Sequence, residues 1–138
     1  MNKKPTIGII VFFLGVLLSA LAIITQDIKF FTWAVFVISL IYLSMGWHIF
    51  KRYYPEGHPL LLFFMGYLYS GVFIATVFYI TNWPLAKTII SMTPIWIAIQ
   101  LVIVFSIKKQ IQKNVLIQLI IEAIILLILT IILLMRVL

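Results

Sequence analysis

The chain has 138 residues, of which 65% are hydrophobic and 9% charged, against roughly 25% charged in soluble domains, and its mean hydropathy is +1.27. This balance excludes a soluble globular domain, and zero cysteines exclude disulfides, thiolate metal sites and cysteine nucleophiles. The net charge of +7 sits at the ends of apolar runs, not in a soluble patch, so it points to anionic lipid headgroups and away from nucleic acid.

The expected fold is an all-α integral membrane protein: one transmembrane domain over residues 1–138, a bundle of five helices with short loops and spans near 6–24, 30–50, 60–80, 88–107 and 115–138. The first run follows Lys3, Lys4 and Pro5, and Ala20-Leu21-Ala22 near its end imitates a signal-peptide cleavage site. At 1.5 Å per residue the run is long enough to cross a core of about 30 Å, so it is expected to remain as the first span. Gly15 and Ser19 lie four apart on one face and allow close helix approach. After a break in which Asp27 and Lys29 offset each other, the second span carries Trp33 and Trp47 near its two ends, where tryptophan prefers the headgroup level.

Gly46 to Pro59 is the most polar stretch, holding both histidines, Glu56, Lys51-Arg52 and several aromatics. Trp47, Lys51, Arg52, Tyr53 and Tyr54 are expected to contact headgroups or a partner at the interface. His48 and His58 match no common zinc spacing and lie too near the interface for haem ligation, so no metal or cofactor is expected. His58 is assigned to a turn in which Gly57 supplies positive φ, and Pro59 opens the third helix. That helix carries Gly66, Ser70, Gly71 and Ala75, two overlapping small-residue pairs and the densest close-packing signal in the chain.

Trp83 marks the next interface, with Pro84 placed to start the fourth helix. Pro94 lies within that span and removes an internal hydrogen bond, predicting a kink with Ser91 or Thr93 serving the freed carbonyls. Lys108, Lys109 and Lys113 form the last basic break. The fifth span is strongly aliphatic, and its outer half is expected to face lipid or a partner chain.

Counting Lys and Arg by alternate sides gives seven (Lys3, Lys4, Lys51, Arg52, Lys108, Lys109, Lys113) against three (Lys29, Lys87, Arg136). Positively charged short loops stay cytoplasmic, so the N-terminus is expected inside and the C-terminus outside, in a bacterial cytoplasmic membrane.

Glu122 is the one acidic residue inside a span, and an intramembrane carboxylate marks a functional site by default. Treating the last two spans as a symmetric hairpin brings Gln100 to its depth. Counting from the central turn adds Ser44 and Tyr67, while Gln118 sits one turn away. The expected polar layer is therefore Glu122, Gln100, Gln118, Tyr67 and Ser44, with Glu122 donating a hydrogen bond to Gln100 or a backbone carbonyl. It serves either as an interhelical clamp or as a proton or cation relay. Hydrolase serine motifs, phosphate-binding glycine loops and metalloprotease helices are absent, so catalysis is not expected. The sequence favours a small polytopic protein that acts by association, as an accessory or assembly subunit bound to a membrane partner or to its own copies. The alternative is a small oligomeric transporter or channel using Glu122 as a proton- or cation-linked site.

Overall fold

The computed structural model describes residues 6–25 and 30–137, and they form five α-helices: α1 (Thr6–Thr25), α2 (Phe31–Tyr53), α3 (Pro59–Ile80), α4 (Ala86–Ser106) and α5 (Lys113–Val137). All five are long and apolar enough to cross a membrane. The chain is thus all-helical and polytopic, with expected and observed helices agreeing to within three residues at the described ends.

α3 is the axis of the bundle. It touches each of the other four helices, while α1 also meets α2 and α5, and α4 also meets α5. Its spanning stretch is 61% buried within the protein, against 28–39% for the others. The reason lies in its small residues. A Cβ placed on Gly66 would stand 2.7 Å from the Tyr42 carbonyl oxygen and 2.8 Å from Gly46 Cα, so α2 and α3 meet backbone to backbone. A turn and more beyond, Ser39 Oγ lies 2.9 Å from Ser70 Oγ and donates to the Ser70 carbonyl at 3.2 Å. On another face of α3, Gly71 receives the Trp96 indole of α4, whose Cζ3 would be 2.7 Å from an added Cβ. Van der Waals fit of this kind drives helix association in lipid, where apolar burial alone gives no preference for protein over acyl chains.

Around this axis Tyr69 gathers three rings from α1 and α2, with centroids of Phe50 at 5.0 Å, Tyr42 at 5.2 Å and Phe12 at 5.9 Å. Tyr42 stacks on Phe73 at 5.7 Å and 15°. Gly15 admits this cluster, since its missing Cβ would stand 2.8 Å from Ile38 and 2.9 Å from Phe73.

The helix ends obey local chemistry. His58 caps α3 by accepting the Leu60 amide on Nδ1 at 3.2 Å, with Pro59 in the first turn. Gly57 does not supply the expected positive φ; no described glycine has one. Its missing side chain makes room instead, because a Cβ there would meet the Tyr54 ring at 2.6 Å. The described positive φ is that of Asn82, at 57°. It closes α3 in a left-handed cap in which the Trp83 amide donates to the Phe78 carbonyl (3.1 Å) and the Asn82 amide to the Tyr79 carbonyl (3.3 Å). Pro84 therefore lies in the turn, two residues before α4 begins. Inside α4, Pro94 has no N–H for the Ile90 carbonyl four residues back, and the buried Thr93 hydroxyl donates to that oxygen at 2.6 Å.

In α5 the expectation for the outer half is corrected on one face. Val115, Leu119, Glu122, Leu126, Leu129 and Leu133, spaced four and three alternately, are buried, as is Thr130. Ile117, Ile121, Ile124, Ile128 and Ile131 are exposed. The helix thus turns a leucine seam inward along its whole length and an isoleucine stripe outward.

Candidate functional site

Glu122 is buried at 3% exposure where α5 crosses α3, and both carboxyl oxygens are engaged. The Tyr69 hydroxyl donates to Oε1 at 2.8 Å, and Gln118 Nε2, one turn earlier on α5, donates to Oε2 at 3.0 Å. Tyr69 is held in place by the surrounding rings, and Gln118 by the i, i+4 geometry of the helix. The group is an acceptor for two donors, one of them from another helix. The expected donation from Glu122 to Gln100 is not formed.

Gln100 is buried as expected, at 2% exposure, but neither its amide nitrogen nor its carbonyl oxygen has a partner among the described residues. It lines a cavity of about 10 Å³ together with Tyr69, Trp96, Ile97, Ala123 and Leu126. Apart from Gln100 and Tyr69 the cavity lining is apolar, and its volume is near the minimum that holds one water.

The other two members of the expected layer lie elsewhere. Tyr67 is 47% exposed and stacks on Phe64 at 6.5 Å. Ser44 is exposed and donates to the Leu40 carbonyl of its own helix at 2.8 Å. Depth counting gave the level and not the face. Two residues along α3 turn the helix by about 200°, so Tyr69 takes the inward position from which Tyr67 is turned away.

A second tier of polar groups was not legible by counting from the loops. Ser19, Thr76 and Thr130 are each 0% exposed, and their hydroxyls have no partner among the described residues. The bond from Tyr69 to Glu122 sets the register of α3 against α5, and the contact of Gly15 with Phe73 sets α1 against α3. Thr76 is seven residues beyond Tyr69, Thr130 eight beyond Glu122 and Ser19 four beyond Gly15. These three helices run the same way and touch one another, so the hydroxyls share one depth about two turns from Glu122. The readable signal was a small polar residue recurring on the inward face of alternate helices.

At the Gly46–Pro59 end, Lys51 Nζ sits 4.9 Å above the Trp47 ring, a cation–π contact, and Trp47 packs on His48 at 4.4 Å. Lys51 and Arg52 are exposed, and the side chain of Tyr53 lies outside the described residues. The Tyr54 hydroxyl donates to Gln110 Oε1 and ties this turn to the one between α4 and α5. Among the described residues no three or more His, Cys, Asp or Glu side chains group as metal ligands.

No family model, curated protein or solved structure matches this chain. Its class follows from the molecule itself: five apolar helices of spanning length define a multi-pass α-helical membrane protein.

Proposed function

We propose that this protein acts by association in the membrane, as an accessory or assembly subunit whose packed bundle presents lipid- and partner-facing surfaces. One observation carries this reading: both Glu122 oxygens are satisfied by Tyr69 and Gln118 within the protomer, which suits a clamp that fixes α5 on α3. The cavity beside it, at about 10 Å³, is far smaller than the ≈ 300 Å³ lower range of small-molecule sites. The test is purification in mild detergent. A stoichiometric heteromeric membrane partner is the expected result, and a homogeneous oligomer of this chain alone would overturn it.

A second reading, a small oligomeric transporter or channel, draws on the partnerless Gln100 amide and the hydroxyl tier of Ser19, Thr76 and Thr130. In that reading the two tiers are stations for a proton or small cation, and other protomers complete the path.

The orientation belongs to the same proposal, with the N-terminus cytoplasmic, the C-terminus outside and a bacterial cytoplasmic membrane as the location. Seven basic residues against three support it. Reporters that work only in the cytoplasm are expected to be active when fused after Lys4, within Tyr53 to His58 or near Gln110. Activity of a reporter specific for the opposite compartment at the Tyr53 to His58 turn reverses the assignment.

A further inference from the structure

We propose that the end of the bundle where α3 passes to α4 holds one anionic phospholipid, with its phosphate between Lys87 and Arg136 and one acyl chain in the groove across Trp83. The site is built by the left-handed cap at Asn82. Bonding of the Trp83 amide to the Phe78 carbonyl turns the chain back on α3, and the Trp83 indole stacks on the Phe78 ring at 5.0 Å and 14°. The indole becomes a wall shared by two hollows of different chemistry.

On one side is an open groove of about 270 Å³ between α2 and α3, walled by Trp33, Phe36, Val77 and Phe78. It opens outward among apolar helix faces, where an acyl chain is the surrounding solvent. On the other side is a hollow of about 280 Å³ lined by Tyr79, Asn82, Lys87 and Arg136. It therefore joins two cations to hydrogen-bonding groups. Neither Lys87 nor Arg136 has an ion-pair partner among the described residues, and the described carboxylates are elsewhere, Glu122 in the core and Glu56 at the opposite end. Asp27, in the break between α1 and α2, lies outside the described residues. Two cations beside an apolar groove match a phosphate carried on an acyl chain. Arg136 offers a planar fork for phosphate oxygens and Lys87 a point charge. A free phosphate would leave the aromatic groove unused, and a zwitterionic lipid would bring its own cation against these two.

The purified protein in neutral detergent is titrated with phosphatidylglycerol, with phosphatidylcholine of the same chains and with soluble glycerol phosphate, reading bound lipid by native mass spectrometry and thermal unfolding alongside. One phosphatidylglycerol per chain is expected, bound about tenfold more tightly than phosphatidylcholine. The preference should vanish in Lys87→Gln/Arg136→Gln and persist in Lys51→Gln/Arg52→Gln, which removes the same charge at the other end. All four side chains are exposed, so both variants are expected to unfold like the wild type without added lipid. Trp83→Ala, which removes the shared wall, should weaken the bound lipid while leaving both cations. Equal loss in the two double variants would reduce the effect to diffuse charge and overturn the site. So would a preference that survives Lys87→Gln/Arg136→Gln, undiminished binding in Trp83→Ala, or stabilisation by glycerol phosphate equal to that by the lipid.

Discussion

Gly66→Ala and Gly46→Ala are each expected to cost about 3 kcal/mol, at the upper end for overpacking, and so to lower the folded-to-unfolded ratio more than a hundredfold. The added methyl of the first lands 2.7 Å from the Tyr42 carbonyl oxygen, and that of the second lands 2.7 Å from Gly66 Cα. Backbone cannot rotate away as a side chain does, so the two helices must separate. Their separation strains the bond between Ser39 and Ser70 and the stack of Tyr42 on Phe73. Gly71→Ala is the internal comparison. Its methyl meets the rim of the Trp96 indole, a half-buried side chain with room to tilt, and about 1 kcal/mol is expected. Unfolding in mixed micelles against increasing denaturing detergent reads all three. Equal stability of Gly66→Ala and Gly71→Ala would show that backbone contact between α2 and α3 does not limit the fold.

The second large effect separates Glu122→Ala from Glu122→Gln. Alanine removes the acceptor of both the Tyr69 hydroxyl and the Gln118 amide and opens a gap at the buried Glu122 position, and about 2 kcal/mol is expected from the lost bonds and packing. Glutamine keeps the shape. Its carbonyl oxygen accepts from Tyr69, and its amide donates to Gln118 once that side chain reverses its own amide. Stability within about 0.5 kcal/mol of wild type is expected, with normal assembly. Protein level, unfolding and copurifying partner, measured for both variants side by side, decide the matter. A glutamine variant that folds and assembles but loses biological activity would mean that Glu122 must release a proton or bind a cation, and the relay reading would replace the clamp.

Much of the fold could be read because lipid imposes length and apolarity on every span, and the basic and aromatic breaks punctuate them. Gly66 and Gly71 also stood out, since small residues amid Leu and Phe have few uses besides close approach. Gly46, the backbone neighbour of Gly66, did not. It lies among the polar residues at the end of α2, where composition suggests an interface and only the α2–α3 register shows a packing contact. The polar site was legible in depth but not in azimuth. Glu122 and Gln100 are inside and Gln118 is half-buried beside Glu122, yet counting points to Tyr67 where Tyr69 faces in, because level along a helix follows from counting while facing follows from how neighbours pack. Gln118 was read correctly as a neighbour because i and i+4 share a face on any helix. The isoleucine and leucine faces of α5 were equally hidden, since both residues are apolar and only their alternation carries the information.

That alternation gives α5 a phase as well as a polarity. The inward seam from Val115 to Leu133 advances in steps that average the natural period of about 3.6 residues, so it keeps to one face of a straight helix. Length is therefore less forgiving here than composition. Exchanging one exposed isoleucine for another apolar residue leaves the phase intact. One residue inserted between Glu122 and Leu126 would rotate everything beyond it by about 100°. Thr130 would swing toward the acyl chains and isoleucines toward the seam, with hydropathy almost unchanged. For this helix the spacing between residues is the heritable feature, and the residues themselves have latitude around it.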